Sequence, residues 1–233
     1  MDLNFVGQVF LKMLPALPRT LSITVLPFAA ALFLGLLVTL PIVCKIPILK
    51  PLCKVYVSFF RGTPFIGQLF MIYFGLPRMF ACLSAMDKIE GFALTMVLNS
   101  GAYLSEIIRG AFLAVDRGQI EAAKSINLSR MQTLRLIVIP QAIPVAVPGI
   151  VNILIDAIKG SSLAFTIGIL DITAVAKIQA GITFRYFEAY MSMVIMYWLI
   201  VLVLEQFQRR YENRLRPLEA NYQIGRASCR ERV

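Results

Sequence analysis

The sequence predicts an all-α membrane protein with five main transmembrane helices, a cytosolic helix-turn-helix loop between the third and fourth, and short broken helices between the fourth and fifth. Three observations carry that prediction. Hydrophobic residues make up 58% of the chain and the mean hydropathy is +0.75, more apolar surface than a soluble domain of this length needs. Five stretches approach the roughly 20 apolar residues that cross a bilayer as a helix. A polar, charged segment, residues 121–140, lies between two long apolar ones and has helix signals of its own.

Taken in order, residues 1–20 form an N-terminal extracytoplasmic segment. It lacks the short apolar run and small-residue cleavage site of a signal peptide. The apolar stretches are 21–43, 55–76, 89–115, 141–158 and 186–207. Residues 161–181 are too interrupted for a span. They read as short helices or a re-entrant piece packed against protein, because non-helical backbone at membrane depth must be satisfied by protein or a water-filled cavity. Residues 208–223 form a cytosolic tail. The last ten, 224–233, are basic and aperiodic and resemble translated sequencing-adapter read-through; the plainer account is a natural basic tail near anionic lipid.

Charge gives the direction. The net charge is +10, and basic loops beside membrane spans explain it better than a nucleic-acid partner. Thirteen Lys and Arg fall on the side of residues 45–61, 109–135 and the tail, against seven on the other. The positive-inside rule then places the N-terminus outside and the C-terminus and residues 116–140 in the cytoplasm. Histidine is absent, and Cys44, Cys53, Cys82 and Cys229 have neither metal nor disulfide-framework spacing. No metal site and no bound cofactor are expected, and no activated nucleophile suggests an enzyme.

Within the loop, Asp116 with Gln119 resembles a capping box that opens a helix near Arg117. Asn127 suits a left-handed corner. Ser129 with Gln132 forms a second capping box, and Pro140 stops the second helix. Ala122 and Ala123 are small enough for another surface to approach closely. Glu121, Lys124 and Arg130 charge the rim, and Ile120, Ile126, Leu128, Met131 and Leu134 supply an apolar side. Local physics leaves two readings open: a docking handle for a partner, or an amphipathic hairpin lying on lipid headgroups.

Polar residues inside the spans invite a functional reading because they are costly in lipid. Glu106 and Arg109, and Asp156 and Lys159, have the i,i+3 spacing of structural ion pairs. Gln68, Asn99, Asn152 and Asp156 could line a polar substrate path. Interhelical hydrogen bonds, worth about 1 kcal/mol each, are the plainer account of any one of them. Pro64, Pro144 and Pro148 either break or kink the same spans. Gly101 and Ser105 form a small-xxx-small step for close helix packing. Tyr197 and Trp198 are given packing roles only.

The loop resembles the EAA loop of permease subunits from ATP-binding-cassette importers: Glu121, Ala122, Ala123, then Ile137, Ile139 and Pro140 stand in that spacing. The sequence departs from the pattern at Asn127, where Gly is usual, and at Ile139, where Leu is usual. FRGTPFIGQLFMIYFGLP (60–77), AYLSEIIRGAF (102–112), PQAIP (140–144) and NILIDAIKGSSL (152–163) resemble the polar amino-acid branch. In the last of these Gly160 and Ser161 replace the more usual Asp-Thr. The ordered matches cover residues 20–207. The resemblance implies a permease domain over 21–207 that works by alternating access, coupled to ATPase subunits through Glu121, Ala122, Ala123, Asn127 and Arg130. It also implies a second permease subunit, identical or not, and an extracytoplasmic amino-acid-binding protein. ATP is expected on the separate subunit, since this chain has no GxxxxGK[ST] loop. Among the branch's substrates the sequence leans to cystine. Two rivals are an ion-driven secondary transporter, which usually shows an inverted repeat absent here, and a membrane scaffold that moves nothing.

Overall fold

A computed structural model describes residues 2–230, with side chains described through Asn213. Helix covers 88% of it, and the described residues contain no strand. Among the described residues, three segments are long and apolar enough to cross a membrane: Leu3–Val43, Arg130–Ile167 and Tyr186–Asn213. They contain the expected first, fourth and fifth spans.

The N-terminal segment is built into the core. Asp2 caps α1 (Leu3–Met13) by accepting from the Asn4 and Phe5 amides at 3.1 and 3.2 Å. Arg185 donates to the other Asp2 oxygen at 2.9 Å and holds this carboxyl below the usual carboxylate range. Val9 and Met13 are fully buried against Ile172, Ala176, Ala189 and Met196. A single tight turn, Leu14–Ala16, leads into α2 (Leu17–Val43).

The second apolar stretch is broken. α3 (Leu49–Gly62) ends at Thr63, and Pro64 is extended with φ −65° and ψ 137°. A residue before proline is disfavoured in the helical region, which favours a break at Thr63-Pro64. The chain resumes as α4 (Phe65–Phe70), a π-helical turn (Met71–Gly75) and α5 (Leu76–Met79). The broken ladder leaves carbonyls exposed, and Gln68 repairs it. Its Nε2 lies 2.9 Å from the Phe60 carbonyl, 3.1 Å from that of Thr63 and 2.7 Å from Thr63 Oγ1. Asn99 in turn donates to Gln68 Oε1 at 2.9 Å and faces the Phe60 carbonyl at 3.3 Å. Gln68 is 2% exposed. Gln68→Ala should therefore lower stability by about 2–3 kcal/mol, because buried acceptors lose their donor. Thermal unfolding in detergent checks this, with Gln68→Leu, which has no donor, expected to fail likewise.

α6 (Lys88–Ala114) is the central element. Asp87 and Glu90 close a full capping box at its start. It packs on α2 through glycine. A Cβ on Gly35 would stand 2.9 Å from Leu104 Cβ and 3.1 Å from the Ser105 amide nitrogen, and one on Gly101 would stand 3.0 Å from Leu34 Cδ2. Thr39 Oγ1 lies 2.9 Å from the Ser105 carbonyl across this contact. The small step at Gly101 and Ser105 is thus a helix-packing seam. Around it Phe28, Leu69, Phe92, Met96 and Leu104 form the largest apolar core.

Beyond α7 (Arg117–Ser125) and α8 (Arg130–Thr133), α9 (Ile139–Gly160) contains Pro144 and Pro148 without breaking. A 3₁₀ stretch (Ser161–Ile167), left-handed Gly168 (φ 80°) and α10 (Ile172–Thr183) form the short broken helices expected over 161–181. Asp171 is fully buried and caps α10 through the Ala174 amide at 2.8 Å. Tyr197 reaches this corner: its hydroxyl lies 3.1 Å from Thr173 Oγ1 and 3.4 Å from Asp171 Oδ2. Tyr197 therefore does more than pack, while Trp198 is exposed. α11 (Tyr186–Arg230) does not stop near residue 207. No Gly or Pro interrupts it there, and Glu205–Arg209 and Gln208–Glu212 bridge successive turns. Cys44, Cys53 and Cys82 are free thiols. The readings of Cys229 and of 224–233 fall outside the described side chains.

Candidate functional site

Two features stand out, a hairpin and a polar seam. In the hairpin, Asp116 opens α7 by accepting from the Gly118 amide at 2.7 Å. α7 closes in a Schellman motif: the Leu128 amide bonds the Ala123 carbonyl at 3.0 Å and the Asn127 amide bonds that of Lys124 at 2.9 Å. Asn127 sits at φ 56°, so the corner expected of it forms without glycine. Ser129 and Gln132 complete the capping box that opens α8.

Three details differ from the sequence reading. Pro140 does not end the second helix, because a π-helical turn (Leu134–Val138) joins α8 to α9. Proline within a helix clashes with the carbonyl four residues back, and a widened turn just before it absorbs that conflict. Ala123 is 1% exposed and faces its own chain, so only Ala122 offers a close approach to another surface. Of the apolar side, Ile126 and Met131 are strongly exposed, whereas Ile120, Leu128 and Leu134 are half-buried. Glu121, Ala122, Lys124, Asn127 and Arg130 are all on the surface. Gln141 donates to Gln119 Oε1 at 2.7 Å and ties α7 to the start of α9.

The seam lies where α3, α4, α6 and α9 meet. Asn99, Ser100 and Tyr103 on α6, Phe65 on α4 and Asp156 on α9 line a cavity of about 220 Å³. Lys159 pairs with Asp156 at 2.7 Å, both side chains more than half exposed. Asn152, also exposed, lines an adjoining groove with Asp156. The structure thus brings Asn99 and Asp156 to one cavity and Asn152 to its edge, and it places Gln68 behind the wall as the support of the helix break. Glu106 holds Arg109 by two hydrogen bonds, 3.0 and 2.7 Å, as the spacing foretold.

Arg61 and Tyr103 were not singled out from sequence, yet both belong here. Arg61 reaches Glu106 at 3.7 Å and lies over the Tyr103 ring at 5.5 Å. A signal for Tyr103 was present: Asn99, Tyr103 and Glu106 repeat the four-then-three spacing of Asn152, Asp156 and Lys159. Each set marks one polar stripe on an otherwise apolar helix.

The family described as "Binding-protein-dependent transport system inner membrane component" matches residues 31–217. The chain is 36% identical to a protein of Vibrio harveyi described as "Probable amino-acid ABC transporter permease protein PatM", over 89% of this chain and 93% of that one. It is 37% identical to the L-cystine transport system permease protein TcyL of Bacillus subtilis (strain 168), over 92% of each. The crystal structure of an amino acid ABC transporter with histidines superposes with a TM-score of 0.81 at 32% identity, over 90% of this chain and 95% of that one. Neither the secondary-transporter nor the scaffold reading finds support in these likenesses. The chain belongs to the inner-membrane permease components of binding-protein-dependent transport systems, in the branch of the amino-acid ABC transporter permeases.

Proposed function

We propose that this chain forms the membrane path of an ATP-driven importer for polar amino acids, moved by ATPase subunits that dock on the 121–140 hairpin. One observation carries the reading: α8, the π turn and α9 form an unbroken helical rod. From Arg130 to Asp156 it spans about 39 Å at 1.5 Å per residue. A push on the exposed hairpin is delivered directly to the cavity wall. In this reading the N-terminus is extracytoplasmic and the hairpin cytosolic. Five membrane crossings satisfy that arrangement, with the broken α3–α5 run as the second and α6 as the third.

The exposed stripe Asn152, Asp156 and Lys159 cannot face lipid cheaply. It meets a second permease subunit, the same chain or a relative, across a wet path, and a soluble amino-acid-binding protein delivers substrate from outside. This chain binds no cofactor; ATP is consumed by the partner. A zwitterion finds acceptors for its ammonium group in Asp156 and Asn99 and a donor for its carboxylate in Lys159. Cystine is the first substrate to try, given the lean of the sequence and the likeness to TcyL.

Uptake by the complete transporter in proteoliposomes, with a panel of competing amino acids, tests this reading. Asp156→Asn should raise the half-saturating concentration about ten- to a hundredfold, the worth of a charged hydrogen bond. Unchanged uptake would remove the cavity from the path.

A further inference from the structure

We propose that Arg61, Tyr103, Glu106 and Arg109 form this chain's half of a charged gate between the membrane cavity and a basic vestibule at the hairpin end. The inference rests on the translocation reading above. A second cavity, about 620 Å³, is lined by Lys50, Lys54, Ser58 and Arg61 of α3 and by Glu106 and Arg109 of α6. The two cavities follow one another along α6: Tyr103 borders the first, and Glu106, one turn later, borders the second. Tyr103 of the first lining and Arg61 of the second are in contact, the ring beneath the guanidinium at 5.5 Å. The Tyr103 hydroxyl donates to the Arg61 carbonyl at 3.5 Å, which fixes the ring against α3.

The contacts of Glu106 are unequal, and the inequality has a mechanical meaning. Arg109 grips it twice and rides on the same helix. Arg61 touches it only at 3.7 Å and comes from α3. Separating α3 from α6 therefore parts Arg61 from Glu106 while Arg109 stays bound. The carboxylate keeps its Arg109 partner in the open state. The freed Arg61, with Lys50 and Lys54 below it, then offers the substrate carboxylate a succession of cations leading away from Asp156. The Arg61–Glu106 contact is half-exposed, with side chains 45% and 25% accessible, so it contributes little to folding. Its removal should alter accessibility and leave stability alone.

The test uses the assembled transporter in proteoliposomes, with Cys44, Cys53, Cys82 and Cys229 replaced by serine. Ile153→Cys, on the apolar wall of the first cavity, supplies a reporter thiol. A membrane-impermeant methanethiosulfonate is added from the hairpin side without nucleotide. Arg61→Gln should raise the labelling rate about two- to fivefold, the factor expected for losing one such ion pair. Glu106→Gln should do the same, Arg61→Lys should restore much of the block, and the thermal stability of both Arg61 variants should match the parent. Equal labelling in Arg61→Gln and parent overturns the gate, as does acceleration that merely tracks lost stability. Saturating amino acid should protect the reporter thiol in the parent. Failure of that protection overturns the translocation reading itself, whatever the gate variants do.

Discussion

Uptake by the reconstituted transporter should fall at least a hundredfold in Ala122→Asp, with the permease still folded and present at normal abundance. Ala122 is exposed on α7, between the charged rim residue Glu121 and the inward-facing Ala123. In the proposed docking, a methyl group there would let a partner surface close onto the helix. An aspartate would place an unpaired charge in that contact, and one desolvated, unpartnered charge costs several kcal/mol. Since each 1.4 kcal/mol is a factor of ten in affinity, the ATPase subunits should dissociate or idle. The helix itself should survive, because the position is exposed and α7 is held by Asp116 at its start and the Schellman closure at its end. Glu121→Lys should act in the same direction. Uptake, ATPase stimulation and co-purification of the ATPase are the readouts. Full-rate uptake by either variant would exclude the hairpin as the coupling element. It would favour the headgroup-bound alternative, in which Glu121→Lys should strengthen binding to anionic lipid. Ala123→Asp is a poor substitute test, since that side chain is buried and local unfolding would confound it.

Gly35→Val should remove most of the folded protein. The added Cβ would lie 2.9 Å from Leu104 Cβ, 3.1 Å from the Ser105 nitrogen and 3.2 Å from the Gly101 carbonyl. Two of these three neighbours are backbone, which cannot rotate aside, so α2 and α6 must separate. Separation also breaks the Thr39–Ser105 contact and loosens the Phe28–Leu104 core. Overpacking a rigid site costs about 1–3 kcal/mol, and the lost bond adds about 1 kcal/mol more. The fraction remaining monodisperse after heating in detergent should drop sharply relative to Gly67→Ala, whose new Cβ meets nothing within 4 Å. Equal heat resistance of the two variants would show that α2 and α6 do not depend on this approach.

Much of this was legible in the sequence because it depends on local rules. The corner at Asn127, the capping box at Ser129 and Gln132, and the pairs at Glu106–Arg109 and Asp156–Lys159 are each set by spacings of three or four residues. The long apolar runs announced the first, fourth and fifth spans for the same reason. What escaped is what depends on distant contacts. Whether Pro64 breaks a helix while Pro144 and Pro148 do not depends on neighbours. Gln68 and Asn99 are available to satisfy the carbonyls near Thr63, and that rescue lies 31 residues away in the chain at the Asn99–Gln68 bond. The burial of Ala123, the bond from Tyr197 to Asp171 and the reach of Arg61 to Glu106 likewise join elements whose distance apart no local pattern encodes.

The prolines of α9 have a consequence for how such a helix yields. Pro144 and Pro148 each delete the hydrogen bond to the carbonyl four residues earlier. Those carbonyls belong to Pro140 and Pro144. With Pro140, they recur every fourth residue, so the missing bonds lie along one side of the cylinder. A shaft weakened along one side is compliant in one plane and stiff in the plane at right angles. A stroke applied at the hairpin would thus be steered: it would flex α9 like a leaf spring in a fixed direction. Filling that side with Pro144→Ala and Pro148→Ala would turn the spring into a strut without altering one charge in the seam.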